Sequence, residues 1–523
     1  MAQKDLADIH KAAKRNQREF FRFGMGLLFV VTIMIYTGLG LGVTGSQGIM
    51  LVIAAMIGGY MAMNIGANDV ANNVGPAVGS RSITMGGAIV IAAIFEMAGA
   101  LIGGGDVVST IRGNIIDPSA IPSGDHFIWL MTASLLAGAL WLNFATAVGA
   151  PVSTTHSIVG AVLGAGIAAG GMGAANWPMM SNIVASWIVS PVLGGAIAAA
   201  FLFWIKRAIT YKSDMVAAAR TTVPILIGLM AFAFTTYLLL KGLSRIWPVT
   251  FGMAMLLGGA SGLLILLLMR ILLKRRASDL QNTKEGINSL FTAPLIFAAA
   301  LLSFAHGSND VANAIGPLAA IADTVMSGSA TRTATVPLWV MVIGAVGIAI
   351  GLALYGPKLI RTVGTEITDL DQMRAFCIAM AATLTVIAAS QLGLPVSSTH
   401  IAIGGVFGVG FLREYLKNRY EKMVEEIKLH HIGTEQAIVE RFLNEFSIAD
   451  PKAKQAMFEQ LKEKAVDLQL TKKEYKQVRN AFKSELVQRS ALKKIVLAWI
   501  VTVPASGLLA ALIYTIIVGI VPE

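Results

Sequence analysis

The stretch that decides the fold is GANDVANNVGP, residues 66–76. It places three amide side chains and the carboxylate of Asp69 at the end of a long apolar run. An ionisable residue inside a membrane segment costs free energy, and it is by default a functional-site hypothesis. The stretch therefore predicts a membrane protein with a polar site in its interior.

The same pattern returns as GSNDVANAIGP at residues 307–317, offset by 241 residues between Asn68 and Asn309. A second motif, PVSTTHSIVG at residues 151–160, returns as PVSSTHIAIG at residues 395–404, offset by 244. Two motifs repeated in the same order at nearly the same offset indicate an internal duplication. Duplicated halves with interrupted apolar segments are typical of secondary transporters.

The composition excludes an ordinary soluble protein. Of the 523 residues, 55% are hydrophobic and 14% are charged, whereas soluble domains carry roughly 25% charged residues. The net charge of +11 comes largely from basic residues beside apolar runs, as in cytoplasmic loops, which argues against nucleic-acid binding. The single cysteine, Cys377, excludes an intramolecular disulfide and a cysteine-based metal cluster.

The apolar runs predict an all-α polytopic membrane protein with about 12 transmembrane helices. Several runs are short and rich in Gly or Pro, and these are candidates for re-entrant helical hairpins. The runs are 24–43, 49–67, 83–104, 128–148, 156–172, 181–205, 222–240, 249–272, 290–305, 333–356, 375–391, 396–412 and 493–518.

The loop charges predict an orientation in the plasma (inner) membrane with a cytoplasmic N-terminus. With one crossing per run, the basic loops after Lys206 and after Arg270 lie inside, and the acidic loop 106–125 lies outside. The first Asn-Asp motif then ends a run heading inward, and the second ends a run heading outward. The count therefore predicts an inverted-repeat transporter.

We divide the chain into six segments. They are a basic N-terminus and extra first transmembrane helix (1–48), transport repeat 1 (49–205), linking transmembrane helices and cytoplasmic loops (206–289), transport repeat 2 (290–412), a cytoplasmic helical insert (413–490) and a last transmembrane helix (491–523). Capping signals and an apolar stripe at 438–446 predict a small helical bundle in the insert, packed on itself or across a homodimer. A regulatory domain is the alternative for this insert.

The Pro-Val-Ser motifs have the chemistry of helix N-termini inside the membrane. Proline removes an amide that would lack a partner, and the following hydroxyl residues cap the first turn. Free N–H groups and a positive partial charge, together with hydroxyl donors, suit an oxyanion such as phosphate.

The Asn-Asp motifs have the chemistry of a hard-cation site. Carboxylate and amide oxygens, with carbonyls freed where a helix unwinds, are the ligands that such a cation prefers. Asn68 and Asn72 lie one helical turn apart, with Asp69 beside them. A cation and an oxyanion held together would offset each other's charge, as in cation-coupled anion uptake.

Structural roles compete with these assignments. Ser, Thr and Asn side chains often join membrane helices by hydrogen bonds. His156 and His400 each follow a capping cluster, which favours a hydrogen-bonded structural role over proton transfer or metal binding. Glu96 is a lone acid inside an apolar run, and it suits either the cation site or a contact with another protomer.

At these four motifs the sequence resembles the inorganic phosphate transporter family, often called PiT, over about residues 51–412, and the wording of the motifs is closer to its sodium-coupled branch. The resemblance implies an inverted-repeat fold with re-entrant hairpins ending at a central site. It also implies symport of inorganic phosphate with sodium, or with protons in some bacterial branches. The N-terminal helix and the insert are not part of the family's common core.

Carried over residue by residue, the resemblance implies two sets of ligands, with sodium bound through Asp69 and Asp310. The coupling-cation set is Asn68, Asp69, Asn72, Asn309, Asp310 and Asn313. The phosphate set is Ser153, Thr154, Thr155, Ser397, Ser398, Thr399, Asn72 and Asn313.

The leading functional hypothesis is a phosphate importer driven by cation symport through alternating access, with inorganic phosphate and membrane lipid as partners and no cofactor beyond the coupling ion. Proton-coupled phosphate or sulfate symport on the same scaffold is the alternative. An anion channel is a different class, but interrupted helices in pairs favour a transporter. An enzyme is disfavoured, because the sequence has no nucleophile paired with a base and no phosphate-binding glycine loop before a lysine.

Overall fold

The computed structural model describes residues 2–42, 44–147, 152–242, 249–276, 280–328, 336–366, 371–430 and 489–520. Within these ranges every long regular element is helical, and 11 helices are long and apolar enough to cross a membrane. The expected all-α polytopic membrane fold is therefore confirmed. The helices are α1 Ala2–Gly40, α2 Gly45–Asn68, α3 Val70–Gly79, α4 Met85–Gly103, α5 Gly105–Gly113, α6 Gly124–Ala147, α7 Thr154–Gly170, α8 Trp177–Ile205, α9 Met215–Tyr237, α10 Phe251–Arg276, α11 Lys284–Leu290, α12 Thr292–Asp310, α13 Ala312–Ser327, α14 Leu338–Glu366, α15 Gln372–Gln391, α16 Ser398–His430 and α17 Arg489–Ile520.

Both Asn-Asp motifs lie inside long helical segments instead of at their ends. Helices α2 and α3 form a 35-residue segment interrupted only at Asp69, and α12 and α13 form a 36-residue segment interrupted only at Val311. At the first break the backbone tightens, because the amide of Asn72 donates to the carbonyl of Asp69 at 3.0 Å. The apolar runs predicted at 49–67 and 290–305 are shorter than the observed helical segments, because each polar motif lowers the hydropathy without ending the helix.

A proline follows each break and alters the helical hydrogen bonding. Pro76 lies inside α3 and Pro317 lies inside α13. Proline has no N–H, so it removes the hydrogen bond to the carbonyl four residues earlier. Those carbonyls belong to Asn72 and Asn313, which places two weakened main-chain acceptors within the motifs.

Two helical hairpins, α6–α7 and α15–α16, open toward different faces of the molecule. The end of α7 contacts the loop before α6, where the amide of Asp117 donates to the carbonyl of Ala174 at 2.8 Å. We call this side the α6–α7 face; Gln47, at the start of α2, donates there to Asp125 at 3.0 Å. At the start of α15, Gln372 donates to the carbonyl of Ser80 at 3.0 Å, just beyond the end of α3.

We call this second side the α15–α16 face. The α2–α3 segment runs from one face to the other, and 35 residues of helix span about 50 Å. The two faces are therefore opposite. Helix α7 ends at the first face and α15 starts at the second, so the starts of α7 and α16, which carry Ser153 and Ser397, lie between the faces.

Glycine contacts hold the second helix of each hairpin against its neighbour. A Cβ at Gly164 of α7 would lie 2.2 Å from the carbonyl oxygen of Gly507 in α17. A Cβ at Gly408 of α16 would lie 2.0 Å from the carbonyl oxygen of Gly195 in α8. Small residues allow this close approach of membrane helices. These two interfaces fix the positions of the hairpin turns.

The six-segment division stays a prediction. Helix α16 continues from Ser398 to His430, so the boundary predicted at residue 412 falls within one helix. The predicted bundle between residues 431 and 488, including the stripe at 438–446, lies outside the described residues.

Candidate functional site

The Pro-Val-Ser motifs begin helices as the sequence predicts. Ser153 caps α7 by accepting from the amide of His156 at 3.2 Å, and Ser397 accepts from the amide of His400 at 3.2 Å at the start of α16. Both serines are buried. Their hydroxyl oxygens are engaged with the helix backbone, so they stabilise the turn that positions the next two hydroxyl residues.

Asp69 is surrounded by hydroxyl donors from both halves of the chain. Thr154 donates to its Oδ2 at 2.7 Å, and Thr399 donates to its Oδ1 at 3.2 Å. The carboxylate is only 2% exposed. Hydrogen bonds to a carboxylate are stronger than those between neutral groups, so this acid is held in one orientation.

Asp310 has the equivalent contact in the other half. Ser398, at the position matching Thr154, donates to its Oδ2 at 3.1 Å. Its other oxygen, Oδ1, is buried and has no hydrogen-bond partner among the described residues. A buried carboxylate oxygen without a donor is expensive, and it is available to a cation.

The asparagines exchange contacts between the halves. Asn72 donates to Thr399 at 2.8 Å. At the matching position Asn313 donates to Thr155 at 3.1 Å and to Thr154 at 3.3 Å. Each Asn-Asp motif therefore bonds the Pro-Val-Ser motif of the opposite half, and all four motifs meet in one network.

The other two predicted asparagines, Asn309 and Asn68, do not bond to the hydroxyl residues that follow Ser153 and Ser397. Asn309 donates to Ser390 at 2.9 Å and accepts from the amide of Val396 at 3.3 Å, which ties α12 to the hairpin turn after α15. Asn68 lies at the end of α2, half-buried, and its side chain has no hydrogen bond among the described residues.

Two further titratable groups extend the network: His306, which the sequence analysis did not single out, and Glu96, for which it left the cation site open as one of two roles. Glu96 is fully buried; its Oε1 accepts from Asn73 at 2.8 Å, and its Oε2 lies 2.7 Å from Nδ1 of His306. Nε2 of His306 lies 2.9 Å from Oδ2 of Asp310. Of the two roles left open for Glu96, the structure supports the one at the site. His306 stands one turn before Asp310, and that spacing is the signal that could have identified it.

The centre of the network has the donor set of a cation site. Ligand atoms of Asp69, His306 and Asp310 all lie within 4.8 Å of one another, and all three residues are buried. Carboxylate oxygens suit a hard cation such as sodium better than an imidazole nitrogen does. His306 is therefore better placed to orient Asp310 than to bind such an ion.

The motif histidines pack as aromatic rings. His156 lies 3.9 Å from the ring of Trp187, His400 lies 3.6 Å from the ring of Trp499, and the two imidazoles meet at 4.5 Å between ring centres. The indole of Trp187 donates to the carbonyl of Pro395 at 2.9 Å. A structural role is supported, but it comes from the packing of aromatic rings, whereas the sequence suggested hydrogen bonding.

Comparison with known proteins gives consistent results. Two relatives, from Helicobacter pylori strains J99 and 26695 and each named "Putative phosphate permease", are 53% identical over 521 residues, which cover 98% of this chain and 98% of theirs. A relative from Pyrococcus furiosus, with the same descriptive name, is 39% identical over 370 residues, covering 69% of this chain and 87% of its own.

A solved structure described as "The sodium-dependent phosphate transporter" is similar to this chain with a TM-score of 0.74 and 29% identity, covering 90% of this chain and 100% of the solved one. Residues 65–510 match the Phosphate transporter family. This range contains all four motifs and the whole network around Asp69 and Asp310. The chain is an integral membrane protein that belongs to the phosphate transporter family.

Proposed function

We propose that the chain imports inorganic phosphate by symport with sodium through alternating access. The observation that carries the proposal is the pairing of opposite chemistries in one buried network, with hydroxyl donors from the Pro-Val-Ser motifs bonded directly to the carboxylates of the Asn-Asp motifs. The similar solved protein is described as sodium-dependent, and this supports sodium as the coupling ion here.

The geometry suggests how cation and anion binding are coupled. The hydroxyls of Thr154, Ser398 and Thr399 each have one proton to donate, and each now donates to a carboxylate. A sodium ion on Asp69 and Asp310 takes over the stabilisation of these carboxylates. The hydroxyls are then free to donate to phosphate, and the ion offsets the repulsion between phosphate and the acids.

We assign the site residues accordingly. Asp69 and Asp310 bind sodium, with Asn68, Asn72, Asn309 and Asn313 as further oxygen donors. Thr154, Thr155, Ser398 and Thr399 bind phosphate with the amides of Asn72 and Asn313 and the free N–H groups at the starts of α7 and α16. Ser153 and Ser397 support these turns as caps.

Alternating access is supported by the two hairpins that open toward opposite faces. In an inverted repeat, the halves exchange roles when the site turns from one side of the membrane to the other. The positive-inside rule favours placing the α15–α16 face in the cytoplasm, because Lys206, Lys284 and Arg413 lie on it. This orientation gives a cytoplasmic N-terminus in an inner membrane.

Proton coupling is a second candidate, and one specific observation favours it. His306 lies between two buried acids: its Nδ1 is hydrogen-bonded to Oε2 of Glu96 at 2.7 Å, and its Nε2 lies 2.9 Å from Oδ2 of Asp310 without meeting hydrogen-bond geometry, so a small rotation of the ring would complete a proton path. In this alternative, protonation of Asp310 replaces sodium in neutralising the site.

The deciding experiment measures uptake of labelled phosphate into proteoliposomes with a sodium gradient or a proton gradient imposed alone. Accumulation against a phosphate gradient with sodium alone supports the proposal, and accumulation with a proton gradient alone supports the second candidate. Equilibration without accumulation would contradict symport and support a channel. Loss of phosphate entry under excess sulfate would contradict phosphate as the preferred substrate.

A further inference from the structure

Tyr237, the last residue of α9, lies against the second Asn-Asp motif. Its hydroxyl is 2.7 Å from that of Ser308, the residue directly before Asn309 and Asp310. Tyr237 is 4% exposed and Ser308 is 0% exposed. Helix α9 belongs to the predicted linking segment 206–289, so this hydrogen bond reaches the central network from outside the two predicted repeats.

The surroundings of this bond are closely fitted to it. Phe304 lies one helical turn before Ser308, and its ring is nearly perpendicular to the rings of Phe234 and Tyr237, with centres 5.2 and 6.1 Å away. A Cβ at Gly103, where α4 ends, would lie 2.3 Å from Oγ of Ser308 and 2.9 Å from Oη of Tyr237. The absence of a side chain at Gly103 therefore leaves room for the bond, and three helices meet around it.

The first Asn-Asp motif cannot make an equivalent bond. The offset of 241 residues matches Ser308 with Ala67, which has no hydroxyl. The two acids are also held differently. Asp69 accepts from hydroxyls of both halves, whereas Oδ1 of Asp310 has no hydrogen-bond partner among the described residues. The direction of this oxygen therefore depends strongly on how α12 itself is held.

The bond to Tyr237 and the central site act on different sides of α12. Ser308 and Asp310 are two residues apart, which corresponds to about 200° around a helix with 3.6 residues per turn. Ser398 contacts α12 at Asp310, and Tyr237 contacts it on the nearly opposite side. A hydrogen bond on each side resists rotation of the helix about its axis, and such a rotation would turn Asp310 away from the centre of the network.

We infer that Tyr237 is a positioning residue for the coupling ion: through Ser308 it fixes the rotation of α12 that directs Oδ1 of Asp310 toward sodium. The inference rests on the proposed function, because it places sodium on Asp310. Tyr237 does not touch the ion, and its effect is on how well the site is organised before the ion binds. The linking helices thereby contribute to the affinity for sodium.

Two variants remove this hydrogen bond from either end. Tyr237→Phe and Ser308→Ala should each raise the sodium concentration for half-maximal phosphate uptake about fivefold, the effect of losing one neutral hydrogen bond. The uptake rate at saturating sodium should stay near the wild-type value. The double variant should show the same increase as either single variant, because all three lack the same bond. Ser308→Ala keeps the test valid if Tyr237→Phe does not fold.

Thr235→Val is the matched control. Thr235 lies on the same helix, and its hydroxyl is 3.0 Å from that of Ser261 in α10, so this variant also removes a bond between hydroxyls of two membrane helices. It should lower the thermal unfolding temperature about as much as Tyr237→Phe does, and it should leave the sodium dependence of uptake unchanged. If Tyr237 served only to join two helices, the two variants would behave alike.

Sodium binding is measured separately from transport through the unfolding temperature of the purified full chain as sodium is added, because an ion that binds the folded state raises this temperature. Half-saturation at the same sodium concentration in Tyr237→Phe, Ser308→Ala and Thr235→Val would overturn the inference and leave the proposed function intact. A wild-type chain whose uptake and unfolding temperature both ignore sodium would contradict the proposed function itself, and the inference with it.

Discussion

Gly408→Ala tests whether the contact between α16 and α8 positions the central site. The added Cβ would lie 2.0 Å from the carbonyl oxygen of Gly195, whereas ordinary contact begins at 3.4 Å. Because the obstacle is backbone, the two helices must separate by about 1.4 Å, and overpacking of this kind costs about 1 to 3 kcal/mol. Helix α16 carries Ser398 and Thr399, whose hydrogen bonds to Asp310 and Asp69 are 3.1 and 3.2 Å long. Such a displacement would break both bonds, and a misplacement of about 1 Å in a functional site costs roughly a hundredfold in rate.

The assay is sodium-driven phosphate uptake in proteoliposomes, together with the thermal unfolding temperature of the purified chain. Gly405→Ala is the matched control, because the nearest atom to a Cβ there is side-chain Cγ2 of Ile378 at 3.2 Å, and the nearest backbone atom is at an ordinary contact distance of 3.6 Å. We expect Gly408→Ala to lose most uptake and some thermal stability, and Gly405→Ala to keep both nearly unchanged. Equal uptake by the two variants would refute the claim that this glycine contact sets the site geometry.

Substitutions at four other positions test the site directly. Asp69→Asn and Asp310→Asn should each abolish sodium-driven uptake while the protein is still expressed, and full sodium dependence in either variant would remove that residue from the cation site. Thr399→Val should raise the KM for phosphate about tenfold by removing a hydroxyl donor. Thr399→Ser keeps the hydroxyl, so its KM should stay near the wild-type value. Equal KM values for the two variants would contradict a donor role. Glu96→Ala leaves two buried partners without their hydrogen bonds, which should lower the free energy of unfolding by about 2 to 6 kcal/mol. Denaturant titrations would measure this loss, and Glu96→Gln should show a smaller one. A larger loss in Glu96→Gln would show that the acid does not stabilise the fold.

The duplicated motifs allowed the class of fold and the helix starts at Thr154 and Ser398 to be predicted from sequence. Capping by Ser153 and Ser397 followed from local chemistry, which depends on a few neighbouring residues. Helix lengths were predicted less well. Hydropathy falls at Asp69 and Asp310, but the backbone continues as helix through both motifs because neighbouring helices supply partners for their polar side chains.

The contacts between distant parts of the chain were beyond sequence reasoning. His306 matches Ile65 in the other half, so the repeat gave no reason to assign it to the site. Glu96 likewise has no counterpart, and its role depends on α4 packing against α12, where a Cβ at Gly307 would lie 2.2 Å from the carbonyl oxygen of Glu96. The exchange of partners between halves also required the three-dimensional arrangement, because the motifs predict one central site but not which side chains bond across it.

That exchange has a consequence for how such a protein is assembled. Thr399 from the second half bonds to Asp69 of the first, and Asn313 bonds to Thr155 in return, so the hydrogen-bond network is complete only when both halves are present. A chain severed between α10 and α11 should regain its site only when both fragments are produced together. On the proposal that the two halves form an inverted repeat, an ancestor of half this length would have had to insert into the membrane in both orientations and function as a pair of oppositely oriented copies.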